Sequence, residues 1–387
     1  MFTFVFSLFL LILTALYCQK ILFFYRGLFR LNPGHADWQP TVTVIIPARN
    51  EEENIRSCLD SLLRQDYPVE KFQIIVVDDG STDQTGEVVR TYVSKYRNVT
   101  LIPTDDHPTN PAPKKTAIQQ GIANSDGEVI ATMDADCRVG PTWLREVIRH
   151  FEPEVGMVAG LLAFDRQAET NLFHKLQSLE FIGLVAAGAG SLGWGQPLIA
   201  NGANLAYRRV AFTDIGGFVG IDRVASGDDV LLMQKLHANG KWKIRLAASA
   251  DAIVHTQPQK DLRAFLNQRK RWAAKSQHFP GRSTVFFLAS VYLLYFSFLV
   301  AVPISCLNLS LFPLPIFLLT CKAVVDFLLV TKGCSLMQRR DLLKYFPLAE
   351  VLQVPYVLYA GAAGLLGSFQ WKGRKYHGGW KSLRNSK

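Results

Sequence analysis

"IATMDADCRV", residues 130–139, takes an apolar run from Val129 to Met133 straight into Asp134-Ala135-Asp136. Alternate residues of a strand share a face, so the two carboxylates are expected to point the same way. Like charges side by side repel, and one must take up a proton unless a cation lies between them. A solvated strand end, with Asp as an ordinary turn former, fits this stretch equally well. The decision falls to the flanking sequence.

Two similar units lie upstream. "TVTVIIPA" (41–48) is β-branched and apolar, and "NEEENIRSCLDSLLRQ" follows it with Ile55, Cys58, Leu59, Leu62 and Leu63 at helical spacing. Asn50 is the expected helix N-cap, ahead of a Glu cluster. "FQIIVVDDGSTD" (72–83) is a second buried strand ending in acids, with an amphipathic helix after it. "KKTAIQQGIANS" reads as a third helix and leads into the opening strand. Strands alternating with helices indicate βαβ units and a parallel sheet. Ligands of such sheets sit beyond the carboxyl ends of the strands. Pro47-Ala48-Arg49-Asn50-Glu51, Asp78-Asp79-Gly80-Ser81 and Asp134-Ala135-Asp136 are therefore expected on one rim. Turn propensity alone does not explain three acidic ends together. A cation site beside groups that bind ribose or base does. Neither G-x-G-x-x-G nor a Walker A loop is present, which removes the usual glycine-cradled phosphate sites.

Charge is unevenly spread along the 387 residues. Residues 1–19 and 283–321 carry none, and between Tyr345 and Trp371 the only charge is Glu350. Residues 38–280 have the composition of a soluble domain. The expected organisation is a membrane anchor over 1–25, a globular α/β domain over 38–280, and a transmembrane hairpin over 283–330. A further membrane or re-entrant helix over 346–369 and a basic cytoplasmic tail over 370–387 complete it. The first segment lacks the basic start and small-residue cleavage site of a signal peptide, so it reads as a retained anchor. Lys20, Arg26 and Arg30 behind it place the catalytic domain in the cytoplasm of a multi-pass protein of the cell inner membrane. The block of about 39 uncharged residues is twice the length of one span, and its turn is expected near Pro303, Asn308 and Pro313. Pro347, Pro355 and "AGAAGLLG" favour a re-entrant third block, which keeps the tail inside. The net charge of +10 accompanies these spans, so anionic lipid explains it and nucleic acid is not an expected partner. Six cysteines without a C-x-x-C pair suggest neither a zinc site nor a disulfide framework.

"VIIPARNEEENI", "VVDDGSTD" and "MDADCRVGPTWL", followed in order by "NGANLAYRR", "SGDDVLL" and "QRKRW", resemble family 2 glycosyltransferases. The resemblance spans about residues 40–275. It implies an α/β, GT-A (Rossmann-like) nucleotide-sugar domain and an inverting transfer. In that reading Asp134 and Asp136 form a D-x-D motif that holds Mg²⁺ or Mn²⁺ against the diphosphate of a donor, expected to be a UDP-sugar. Pro47, Asn50, Glu51, Asp78, Asp79 and Ala135 match nucleotide contacts, and Lys114 matches a lysine near the phosphates. The alternative for Lys114 and Lys115 is an exposed basic helix start. Asp229 aligns with the general base. Asp228 stands where the family more often has Glu, so the two can share or exchange roles, and a helix N-cap pair is their structural alternative. Gln268, Arg271 and Trp272 match a motif that contacts phosphate and sugar, with Arg269 and Lys270 facing elsewhere. Asn201, Gly202 and Asn204 match the acceptor side, and His255 a position near the diphosphate.

A catalytic domain that leads directly into a membrane hairpin favours a lipid or lipid-linked acceptor. The ending "WKGRKY" is similar to that of ceramide glucosyltransferase and hopanoid or glycerolipid glycosyltransferase types. Chitin and hyaluronan synthases share Q-x-x-R-W, which keeps polymer synthesis as the alternative. A non-catalytic scaffold is the reading from another class. Lys322 and Asp326, four residues apart inside a span, are costly there unless paired. They either brace one helix or help admit a lipid headgroup.

Overall fold

The computed structural model describes residues 2–105, 110–274, 282–307, 313–366, 368–372 and 374–377. Strand β1 (Val42–Ala48) is the centre of the parallel half of the main sheet. It pairs in parallel with β2 (Phe72–Asp79), Ala48 opposite Asp78, and with β4 (Val129–Thr132), Ile45 opposite Thr132. Buried on both faces, these strands need continuous apolar runs rather than alternation, which is why they stand out in the sequence. β3 (Val99–Thr104) closes one edge. The other half departs from the all-parallel expectation. β8 (Leu205–Arg208) runs antiparallel to both β4 and β6 (Val155–Gly160), and β9 (Lys243–Ala247) pairs in parallel with β6. A smaller sheet joins β5 (Arg138–Val139), β10 (Val254–Thr256) and β7 (Leu162–Phe164) in the order β5-β10-β7.

Helices α2 (Ile55–Leu62), α3 (Thr85–Val93) and α4 (Pro113–Ala123) connect the parallel strands. α2 buries Ile55, Cys58, Leu59 and Leu62, as its spacing predicts. Asn50 is not its cap. Asn50 adopts a positive φ of 52°, and its side-chain oxygen accepts from the Thr82 amide at 2.9 Å. The short helices α5 (Trp143–Ile148), α7 (Arg209–Asp214) and α8 (Val230–Asn239) complete the α/β domain.

Among the described residues four helices are long and apolar enough to cross a membrane. Three occupy segments expected from composition: α1 (Phe2–Gly27), α10 (Arg282–Leu307) and α11 (Pro313–Leu336). The α10–α11 turn falls at 308–312, outside the described residues, and Pro303 lies inside α10 rather than in the turn. The fourth, α6 (Leu172–Gly193), lies in the middle of the segment read as soluble. Its apolar window is 67% buried, against 28% for α1, so its hydrophobicity is spent on protein contacts. Gly27 of α1 meets Gly190 of α6 so closely that a Cβ on Gly27 would stand 1.8 Å from the Gly190 oxygen. Small residues permit this backbone approach.

Helix α12 (Phe346–Leu366), with Pro355 inside it, is not among the four. Its first turn packs Phe346 on Phe327 of α11. Its last turns run against Tyr292 of α10 and against Lys270 and Ala273 of α9 (Leu262–Ala274). A hairpin, β11 (Ser368–Trp371) with β12 (Arg374–His377), follows α12. The tail from 378 onward, with Lys381, Arg384 and Lys387, lies outside the described residues. Cys18, Cys58, Cys137, Cys321 and Cys334 are free thiols.

Candidate active site

The parallel register brings the ends of β1, β2 and β4 to one rim, as strand order requires. β4 stops at Thr132, however, and Asp134 to Cys137 form a tight turn closed by the Cys137 amide on the Asp134 carbonyl at 3.0 Å. Strand alternation therefore does not set the direction of the two carboxylates. The turn does, and both still line a single cavity of about 1690 Å³.

Lys114, at the start of α4, is the electrostatic centre of this rim. Its ammonium lies 2.6 Å from Asp134 and 3.0 Å from Asp228. Burial disfavours the ammonium, but Asp134 and Asp228 outweigh it and hold the lysine above its ordinary pKa. Burial likewise opposes the Asp228 carboxylate, yet Lys114 and Lys115 keep it below its ordinary value. Lys115 is also buried, and its ammonium is hydrogen-bonded by the carbonyls of Val224 and Ser226 at 2.5 and 2.9 Å. It anchors the loop that delivers Asp228, so the exposed basic helix start is not what forms.

Asp229 caps α8, accepting from the Val230 amide at 2.6 Å, and also accepts from the Gly202 amide at 3.3 Å. It nevertheless lines the cavity. Gly202 has no room for a side chain: a Cβ would stand 2.7 Å from Asp228 Oδ2 and 3.3 Å from Lys114 Nζ. Asn201 and Gly202 line the cavity. Asn204 does not. It is buried beneath, where Trp143 Nε1 donates to it at 3.1 Å and its own amide donates to the Leu161 and Ala252 carbonyls.

At the end of the rim formed by β1 and β2, Pro47, Glu51, Asp79 and Ala135 line the cavity. Asp78 and Asn50 shape the rim from outside it. Asp78 accepts from the Ser81 amide at 3.0 Å, and Asn50 holds Thr82. Two cationic residues at this end were not singled out by sequence. Arg49 donates to the Asp79 carbonyl at 2.6 Å. Lys372, from the hairpin after α12, pairs with Glu51. Arg49 was visible as the residue directly after β1; nothing local to Lys372 points to Glu51.

Gln268, Arg271 and Trp272 all face the cavity from α9. Burial lowers the Arg271 pKa, against the attraction of Asp134, Asp228 and Asp229, which places the guanidinium over the rim. Arg269, expected to face elsewhere, is buried and paired with Glu180 of α6, with the Tyr356 hydroxyl at 3.2 Å. His255 is absent from the lining. Burial, Arg138 and Arg339 lower its pKa, so it belongs to the packing behind the site.

Asp134 and Asp136 offer oxygen donors only. The Asp136 carboxyl is pushed up to about 6 by burial and by the charges of Asp134 and Glu51, so negative charge at this turn lacks full compensation. Such a set fits Mg²⁺ or Mn²⁺, which keep positions for water and substrate phosphate. It fits only in that shared way: among the described residues no cluster of three or more His, Cys, Asp or Glu can hold a metal.

The cavity continues from this rim into the helices. It is lined there by Tyr17, Tyr295, Asp326, Glu350, Gln353 and Tyr356. Lys322 is fully buried and bonds Asp326 at 2.7 Å, Glu350 at 2.5 Å and Gln353 at 3.1 Å, while Tyr17 donates to Asp326 at 2.8 Å. The Lys322–Asp326 pair is thus more than a brace within α11: it ties α1, α11 and α12 together.

Known proteins share this architecture. The chain is 30% identical over 243 residues to the probable glycosyltransferase YdaM of Bacillus subtilis, covering 62% of this chain and 56% of that protein. It is 28% identical over 240 residues to a beta-monoglucosyldiacylglycerol synthase of Nostoc sp., covering 60% and 48%. The chain spans about half the length of these curated relatives. The mannosyltransferase PcManGT of Pyrobaculum calidifontis, solved with GDP-Man and Mn²⁺, superposes with a TM-score of 0.58 at 20% identity, over 93% of this chain and 99% of that one. That likeness establishes the GT-A fold. Residues 43–225 match the model of the family described as Glycosyl transferase family 2.

Proposed function

We propose that the chain is a membrane-bound inverting glycosyltransferase, moving a sugar from a nucleotide-sugar donor to a hydroxyl of a membrane lipid. One observation carries the reading: a single cavity joins the acidic rim to an apolar mouth among the membrane helices. Val285, Leu288 and Leu293 of α10 and Leu352 and Tyr359 of α12 line it while each is more than a third exposed. At about 1690 Å³ it exceeds the ~300–1,000 Å³ of an ordinary small-molecule site, and has space for donor and acceptor together. A relative that is a beta-monoglucosyldiacylglycerol synthase points the same way.

In this reading Asp79 and Glu51 receive the nucleoside, and Lys114, Arg271 and Lys372 face the diphosphate. A divalent cation at Asp136 and Asp134 would supply Lewis-acid charge to the leaving group. Arg271 stabilises the same developing charge from the protein side. Asp229 is the general base that takes the acceptor proton. Asp228, committed to Lys114, keeps the lysine charged and in place. Trp272 offers a flat wall to the sugar. The contacts of α12, with α11 at its start and α9 at its end, support a re-entrant helix that leaves the tail on the catalytic side. The basic residues after α1 support a cytoplasmic catalytic domain.

Full-length protein in nanodiscs, given UDP-glucose, UDP-N-acetylglucosamine, UDP-galactose or GDP-mannose with diacylglycerol, should move label from one donor into the organic-extractable fraction. EDTA should stop it and Mn²⁺ or Mg²⁺ restore it. Label only in a water-soluble polymer would replace lipid transfer with polymer synthesis. Absence of donor turnover and of donor binding would leave a scaffold.

A further inference from the structure

We infer that the intramembrane end of the cavity recognises the uncharged, hydroxyl- or amide-bearing head region of the acceptor lipid, with Glu350 and Gln353 reading its donor hydrogens. The inference rests on the glycosyl-transfer reading for the reason a lipid should stand there. Its own support is a count of charges and hydrogen bonds.

An ammonium has three N–H donors. All three of Lys322 are taken, by Asp326, Glu350 and Gln353. Asp326 is further satisfied by Tyr17, at 2.8 and 3.0 Å to its two oxygens. A brace for Lys322 needs one carboxylate, and two are present. A second, largely enclosed carboxylate (the Glu350 side chain is 17% exposed) is costly in a low-dielectric space unless hydrogen-bond donors meet it. Lys322 meets Glu350 and Gln353 through one oxygen of each, which leaves the second Glu350 oxygen and the Gln353 amide NH₂ uncommitted to that lysine. Both residues line the cavity, just inside its apolar mouth at Leu352 and Tyr359. The cluster therefore presents carboxylate oxygens, one amide donor, and a net negative charge. Hydroxyl and amide N–H groups match it. A lipid phosphate does not, because no donor of Lys322 remains for it and the surplus carboxylate repels it.

Native mass spectrometry of the full chain in detergent tests this without requiring turnover. Diacylglycerol, ceramide, phosphatidylglycerol and phosphatidylethanolamine would be offered in equimolar competition. The neutral diacylglycerol or ceramide should dominate the bound fraction. Glu350→Gln should weaken that binding about tenfold, the loss of one hydrogen bond to a charged group, and should narrow the margin over phosphatidylglycerol. Gln353→Leu leaves every charge in place and should also weaken neutral-lipid binding, so the test survives if Glu350→Gln fails to fold. Preference for either phospholipid, or unchanged binding in a folded variant, overturns the inference. Glycosyl transfer measured on the same samples separates the two readings. Turnover without Glu350-dependent lipid binding removes this site and keeps the activity. Glu350-dependent binding without turnover does the reverse.

Discussion

Two lysines organise this molecule in the same way and with opposite consequences. Lys114 bridges Asp134 and Asp228 at the rim; Lys322 bridges Asp326 and Glu350 among the long apolar helices. Each is clamped by two carboxylates, and both clamps adjoin the same cavity. At the rim the Asp134 side chain is 40% exposed, and Arg271 and Lys372 stand close by. Water and spare charge make that clamp exchangeable, which suits the proposed binding and release of a nucleotide-sugar diphosphate. Lys322 is fully enclosed, with the Tyr17 and Tyr295 rings beside it and its hydrogen-bond partners around it. With no water to rescue a lone charge, that clamp has to be complete to be tolerated. The rim clamp is expected to govern chemistry, and the Lys322 clamp stability and fit.

The sharpest test of the chemical half is Asp136→Asn. Transfer should fall below detection, and donor binding should lose its dependence on Mn²⁺, as read by calorimetric titration with and without metal. A variant whose donor affinity still responds normally to Mn²⁺ would remove the cation from this turn. Asp229→Asn should follow, cutting turnover by about 10²–10⁴-fold with donor affinity near normal, as for loss of a general base. If Asp228→Asn gives that pattern and Asp229→Asn does not, the two acids exchange roles.

The comparison itself is broken or upheld by Lys322→Met against Lys114→Met. Removing Lys322 strands buried Asp326 and partly buried Glu350, and breaking a buried pair costs about 3–5 kcal/mol. Thermal melting in detergent should drop markedly. Lys114→Met should abolish transfer while the melting point moves far less. Equal melting losses would show that both clamps are structural.

The smallest effect concerns His255, which adjoins both halves through Arg138 and Arg339. Its pKa is lowered in the folded protein by burial and by those two cations. The unfolded chain then binds the proton more readily. The stability that neutral His255 contributes is fully present above the ordinary histidine value of about 6.5 and is lost as pH falls below it. Melting temperature should decline from pH 7 to pH 5, and His255→Gln should flatten part of that decline. His150, also lowered by burial, supplies a remainder. An identical pH slope in His255→Gln would assign the effect elsewhere.

Sequence alone settled the elements whose signal is local. β1, β2 and β4 are buried on both faces, so each had to be an unbroken apolar run, and the acids that end them had to reach one rim because parallel strands point the same way. α1, α10 and α11 declared themselves by length without charge. Tertiary structure decided whatever depends on a distant partner. α6 is apolar because α1 and α11 pack on it, and composition cannot separate that cause from solvent-facing or membrane-facing needs. Arg269 is buried because Glu180, 89 residues away, neutralises it. Asn204 belongs to the core because two remote carbonyls and Trp143 satisfy it. Lys372 reaches the rim only by meeting Glu51, 321 residues earlier in the chain. A side chain's type fixes what it can bind, whereas its burial and its partners are set by which segments the fold brings together.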